Sequence, residues 1–123
     1  LIEESHLKQQ MPEMSEADKA FVKNVMNLIE EHIDDSDYGQ EQLAHDLLLS
    51  RSTLYRKIKA VSGMAPLDFI RNVKMKKACT MLGQHKLSIS EIAYSLGFAN
   101  PKYFTKCFKD EMGQTPSEYQ KQS

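Results

Sequence analysis

The chain has 123 residues, 41% of them hydrophobic, and a net charge of −1. That is enough for one compact unit, or two small ones, with a real core. No apolar run approaches the roughly eighteen residues that a membrane-spanning helix needs, and no secretory signal pattern is present. Two cysteines, Cys79 and Cys107, are too few for a disulfide scaffold and point to a reducing cytoplasm. The start at Leu1 rather than Met is expected of a fragment or a processed piece. The near-neutral charge hides an asymmetry. Residues 1–40 carry ten acidic and three basic side chains, whereas residues 41–123 carry thirteen basic and seven acidic ones. The basic part raises the expectation of an anionic partner; a solvated, lysine-rich surface is the alternative.

Residues 1–14 are polar and aperiodic, with Pro12 near the end, and read as a linker or tail. Ser15 offers an N-cap, with Glu16 and Asp18 in the first turn where the helix dipole favours them. Phe21, Val22, Val25, Met26, Ile29 and Ile33 follow at helical spacing, predicting an amphipathic helix of about five turns. It is expected to stop near Asp34–Asp35–Ser36–Asp37. Leu43, Ala44 and Leu47 then form a short apolar face. Ser50 caps a helix that Gly63 ends, and Pro66 opens another running to about Leu82, with Gly83 as its expected end. Cys79 and Cys107 are expected as small buried or half-buried residues.

The pattern then repeats. Ser88 and Glu91 form a capping box. Ile92, Ala93 and Leu96 repeat Leu43, Ala44 and Leu47 at an offset of 49. Asn100 and Pro101 stand at N-cap and N1, and from there the offset is 50: Leu54 matches Phe104, Ile58 matches Phe108, Gly63 matches Gly113 and Pro66 matches Pro116. The second copy therefore carries one extra residue within Gly97–Phe98–Ala99. No useful strand alternation appears, so the fold class is all-α, about seven helices.

Each copy is a short helix, a tight turn and a second, basic helix. Leu54 and Ile58 lie four apart and face the core together, leaving Ser52, Tyr55, Arg56 and Lys59 outward. Phe104 and Phe108 do the same in the second copy, leaving Lys102, Tyr103, Lys106 and Lys109 outward. Such a helix fits the major groove of B-form DNA, where arginine can grip guanine and lysine or tyrosine can reach phosphates or bases. Adjacent groove faces on one side of DNA lie about 34 Å apart. The helix from Pro66 to Leu82 gives roughly 25 Å of spacer. A helical protein-docking module is the competing reading, and it would want apolar anchors where this sequence has Ser, Arg and Lys. An enzyme is the weakest reading. There is no nucleophile constellation or phosphate-cradling glycine loop, and His6, His32, His45 and His85 are scattered, so no cofactor and no metal are expected.

The segments LAHDLLLSRSTLYRKIKAVSGMAPLDFI and SISEIAYSLGFANPKYFTKCFKDEMGQTPSEY resemble the DNA-binding domain of AraC/XylS-type bacterial transcription regulators. The resemblance covers Gly39 to about Gln120, with the helix after Ser15 as the domain's leading helix. It implies two homeodomain-like helix-turn-helix subdomains, about 39–63 and 88–113, a linker helix, and a closing helix at about 116–121. The family's base-contacting positions fall on Arg51, Ser52, Tyr55 and Arg56, and on Pro101, Lys102, Thr105 and Lys106, with Asn100 and Tyr103 beside them. Pro101 donates no hydrogen bond and is read as a helix starter. Lys59 and Lys109 lie further along and are expected on phosphates. Lys74 and Gln120 stand where the family often has arginine, and both are read as conservative or surface changes.

Spelling within the first copy, YRKIKAVSG-x-x-P-x-x-FI, is similar to output domains of Bacteroidetes response regulators and hybrid two-component sensors. That resemblance implies a fused upstream receiver or sensor domain, the parent being either a response regulator or a hybrid sensor anchored in the inner membrane with histidine kinase activity of its own. It also implies double-stranded DNA as partner, RNA polymerase as a second partner of an activator, and a cytoplasmic location. The fragment itself is expected to be monomeric, with dimerisation supplied by the missing part.

Overall fold

The computed structural model describes residues 14–123. The expected tail lies outside the described residues except for Met14, which packs on the first core. The described residues form seven helices: α1 (Glu16–Glu31), α2 (Gln40–Asp46), α3 (Arg51–Ser62), α4 (Pro66–Gln84), α5 (Ile89–Ser95), α6 (Pro101–Met112) and α7 (Pro116–Lys121). There is no strand among them. They divide into two compact units. One holds the described residues up to His32 and Tyr38–Val73; the other holds Ile33–Asp37 and Lys74–Ser123.

The first unit has its own core. Val22, Val25 and Ile29 of α1, Leu43 and Ala44 of α2, Leu54 and Ile58 of α3, and Phe69 and Ile70 of α4 are buried together. Tyr38 joins them, its hydroxyl donating to Asp46 Oδ2 at 2.8 Å. Burial first, and that bond second, push its phenol well above the ordinary tyrosine range. Lys57 of α3 lies over the Phe21 ring at 5.1 Å, a cation–π contact that turns this lysine toward α1.

In the second unit, Met75, Ala78 and Leu82 of α4 pack with Ile92, Ala93 and Leu96 and with Phe104, Cys107 and Phe108 of α6. Its aromatic rings form a continuous line: Phe98 against Phe104, Phe104 against Phe108, and Phe108 against Tyr119, at 5.3, 5.9 and 5.7 Å. Cys79 is half-buried, and burial raises its thiol pKa while a hydrogen bond with Tyr119 lowers it.

The helix starts follow local chemistry. Ser15, Ser50, Ser88 and Thr115 each accept a bond from the backbone N–H three residues on, and Asn100 accepts from Lys102 N at 2.7 Å. Gly63 and Gly113 end α3 and α6 in the left-handed region, at φ 75° and 78°. Three helix-end expectations are corrected. First, α1 stops at Glu31, short of the acidic run. His32 caps it, its N–H reaching Leu28 O, and its ring stacks on Tyr38 at 4.1 Å. Second, Ile33 does not continue the α1 face but packs in the second unit's core. Third, α4 runs through Gly83 to Gln84, and His85 takes the left-handed turn at φ 54°. There the Leu82 carbonyl accepts from His85 N and from the Gln120 side chain, at 3.3 and 3.2 Å, so tertiary and turn bonds set this end rather than glycine.

The two glutamate capping boxes carry a pH prediction. Glu91 and Glu118 accept bonds from the backbone N–H groups of Ser88 and Thr115, at 2.9 and 2.8 Å, and these hold both carboxyls below the ordinary glutamate range. A lowered folded pKa means the cap contribution is complete above the unfolded value and is lost as pH falls through the folded one. Stability is expected to fall on acidification below about pH 4.5. Glu91→Gln is expected to flatten part of that acid limb, as read by unfolding midpoints between pH 3 and 6. An unchanged acid limb would remove Glu91 from the account.

Candidate nucleic-acid interface

Each unit holds a helix pair joined by a tight turn, and the two turns share one hydrogen-bond frame. Leu49 N donates to Ala44 O at 2.9 Å in the first, and Phe98 N donates to Ala93 O at 3.0 Å in the second. The left-handed residue is Leu48 in one and Gly97 in the other, at φ 59° and 81°. Because Leu49 and Phe98 correspond, the extra residue of the second turn is Ala99. Buried Ala44 and Ala93 sit where the first helix of each pair meets its partners, and their small size allows the close approach.

On α3, burial falls on Leu54, Ile58 and Ser62, four residues apart along one side. Arg51, Ser52, Tyr55, Arg56 and Lys59 are all exposed. Arg51 Nη1 lies 3.3 Å from Glu41 Oε1 of α2. Sequence spacing gives no sign of this ion pair, and it is a weak, solvated one that an incoming phosphate can replace. Arg56 Nη2 lies 3.5 Å from Thr53 Oγ1, a long contact that leaves the guanidinium pointing to solvent. Lys59 is in the last turn, where the helix dipole favours a cation.

On α6, burial falls on Phe104, Cys107 and Phe108. Asn100, Lys102, Tyr103, Lys106 and Lys109 are exposed, and Lys102, Lys106 and Lys109 succeed one another at four- and three-residue steps along one face. Thr105 is only half-exposed, and so sits at the margin of this face rather than on it. Pro101 occupies N1, as a helix starter does. The Asn100 side-chain oxygen is already committed to its own cap. Tyr103 is 50% exposed, with its ring 5.9 Å from that of Phe98.

Exposed apolar groups include Leu48 at the tip of the first turn, Leu67, Leu87, and Tyr94 on α5. Spacing puts Tyr94 opposite the buried face of Ile92, Ala93 and Leu96, but nothing in the pattern marks the exposure of Leu48. The surface half of the expectation for Lys74 and Gln120 is also corrected. Neither is a surface change: both are half-buried, Gln120 bonded to Leu82 O and Lys74 over the Phe98 ring at 5.6 Å. Among the described residues there is no group of three or more His, Cys, Asp or Glu side chains that could hold a metal ion, and no helix long and apolar enough to cross a membrane.

Two helix–turn–helix units, each turning a cationic polar face outward from a buried apolar one, define the DNA-binding class of transcription regulators. The sequence matches the family model of a helix-turn-helix domain over residues 43–122, and the chain belongs to this family, of the AraC type. Its fold is a DNA-binding module and not an enzyme. It is similar to histidine kinase P4 of Formosa agariphila, 36% identical over 107 residues that make up 87% of this chain and 8% of the kinase. It is similar also to the solved C-terminal domain of AraT, a response regulator from Geobacillus stearothermophilus. That match has 31% identity and a TM-score of 0.76, covering 83% of this chain and 84% of that one. The DNA-binding domain of AdpA, a global transcriptional factor solved with a target DNA, is 27% identical with a TM-score of 0.71, covering 78% of this chain and 86% of that one. The chain spans less than half the length of the curated relatives it matches.

Proposed function

We propose that the chain reads double-stranded DNA through the outward faces of α3 and α6. Arg51, Ser52, Tyr55 and Arg56 contact base edges from α3, with Lys59 on a phosphate. From α6, Lys102, Tyr103 and Lys106 contact bases or phosphates, Lys109 holds a phosphate, and Asn100 and Thr105 border the contact. The observation that carries this reading is the split of each helix. The large apolar residues of α3 and α6 go into the cores, and the exposed remainder is polar and mainly basic: arginine, lysine, serine and two tyrosines, with Ala60 and Asp110 beside them. A protein-docking helix would keep outward aliphatic anchors, and neither helix has them.

Arg56→Ala is expected to cost about 1–3 kcal/mol at its base pair and to relax preference there. Lys109→Ala is expected to weaken all sequences alike. Both are read by titrating labelled duplexes that differ at single base pairs. Unchanged affinity and unchanged preference for Arg56→Ala would take Arg56 off the reading face.

In the same reading, this domain stands at the output end of a longer signalling protein. It is joined to a receiver or sensor part and acts as an activator that also meets RNA polymerase. Similarity to the Formosa histidine kinase supports the fusion. In a purified transcription assay on a promoter holding the selected site, an activator raises transcript yield; a fall in yield would make the protein a repressor.

A further inference from the structure

We infer that Lys74 and Phe98 are positioning residues for the second unit's reading face, holding Tyr103 of α6 where its phenol meets DNA. The inference rests on the reading of α6 as a DNA-contacting helix. Two aromatic rings and one cation meet the Phe98 ring. Phe104 meets it nearly edge-on at 5.3 Å from within the core, Tyr103 lies tilted against it at 5.9 Å, and the Lys74 ammonium sits 5.6 Å from its centre. Lys74 comes from α4 and is half-buried. Its ammonium is wedged against the turn: a Cβ placed on Gly97 would lie 3.2 Å from Nζ. Burial lowers the lysine's pKa, and the Asp35 carboxylate opposes that by favouring the charged form.

A cation is attracted to the negative face of a ring and not to its edge. With Lys74 over the face and Phe104 against it from the core, the orientation of Phe98 is fixed from two sides. Tyr103 is half-exposed and its ring lies against that of Phe98, so the orientation of Phe98 bears on where the Tyr103 side chain stands on the outward face. The first unit lacks the device. By the sequence repeat, Leu49 stands where the second unit has Phe98, and Thr53 stands where it has Tyr103. The second unit also needs it more, because its turn carries the extra Ala99 before Pro101 starts the helix. A tyrosine at that place is useful only if its ring is held, since a free phenol gives up rotamer entropy on each contact.

The test uses the whole chain, with Lys74→Met to remove the charge while keeping the stem, Lys74→Arg to restore a cation, and Tyr103→Ala. Site preference is read by selection from a randomised duplex pool, and stability by unfolding midpoint. Lys74→Met is expected to keep the unfolding midpoint, since it removes a half-buried charge. It is expected to lower discrimination in the segment read by α6 about fivefold, the size of one partly desolvated cation–π contact. Preference in the α3 segment stays as it was, Lys74→Arg restores the loss, and Lys74→Met adds nothing once Tyr103 is alanine. In the proton NMR spectrum of the free chain, the Lys74 ε-methylene signal is expected upfield of ordinary lysine, and Phe98→Leu returns it. If Tyr103→Ala lowers discrimination and Lys74→Met does not, the positioning role is overturned and the DNA reading stands. The positioning role falls in the same way if Lys74→Met weakens all sequences equally. If the wild-type chain shows no preference in an α6 segment, the reading of α6 fails and takes the inference with it.

Discussion

Phe104→Ala is expected to destabilise the second unit by about 3–5 kcal/mol, the usual cost of truncating a fully buried phenylalanine. Phe104 has no exposed surface and stands mid-line in the rings running from Phe98 through Phe108 to Tyr119. Its loss removes burial and two ring contacts at once, and the rings beside it are held by Lys74 and by α7, so the cavity cannot close. Whole domains are stable by about 5–15 kcal/mol, so this cost takes a large share of what holds α5 to α7 folded. Hydrogen exchange checks it: amides of α5, α6 and α7 are expected to lose most of their protection. Phe104→Leu, which keeps most of the volume, is expected to lose much less. A drop below about 1 kcal/mol for the alanine variant would show that this core relaxes around the hole, and the ring line would not be its frame.

Gly97→Ala is expected to cost more than Gly113→Ala, although both glycines have nearly the same backbone. Their φ values are 81° and 78°. A left-handed conformation costs an alanine about 1–2 kcal/mol at either place. At Gly113 a Cβ meets nothing within 4 Å, so the conformational cost is all there is. At Gly97 the Cβ would lie 2.7 Å from the Ile33 carbonyl oxygen, a backbone atom that moves only if its segment moves. Overpacking of that kind adds about 1–3 kcal/mol. Urea unfolding midpoints of the two variants make the comparison. Equal losses would mean that Ile33 gives way freely and that the second turn is not packed as described.

The same turn shows what a sequence can and cannot carry. Helix starts are legible because an N-cap is a local bond between one side chain and a backbone N–H three residues away. Ser15, Ser50, Ser88 and Thr115 all make that bond. The buried pairs Leu54 with Ile58 and Phe104 with Phe108 are legible from spacing alone. Ends decided by distant partners are not. His32 closes α1 with the ring of Tyr38 beside it, and Gln120 reaches the Leu82 carbonyl from 38 residues away. Ile33 reads as one more apolar residue on the α1 face, yet its partners are in the second unit's core. Lys74 and Gln120 look replaceable because polar residues on helices usually face solvent; here each has a buried role. Leu48 cannot be read at all, since its left-handed backbone and open exposure contradict what leucine prefers.

On the interface itself, the outward set follows from what the cores bury. The modifications come from contacts. Arg51 is paired with Glu41, Asn100 is engaged in its own helix cap, and Thr105 is partly covered. Lys57, also basic and on α3, is turned instead toward the Phe21 ring of α1.

Sequence-specific DNA binding through α3 and α6 is tested most directly by selecting duplexes from a randomised pool with the whole chain, then titrating the enriched duplex at several salt concentrations. An enriched motif is expected, with an affinity that falls as salt rises. If Lys59, Lys102, Lys106 and Lys109 each hold one phosphate, the logarithmic slope is about −3.6. A motif with two separated segments would assign one to each helix. No retention at low salt, or retention without enrichment or salt dependence, would contradict DNA reading and return the two outward faces to the docking of a protein.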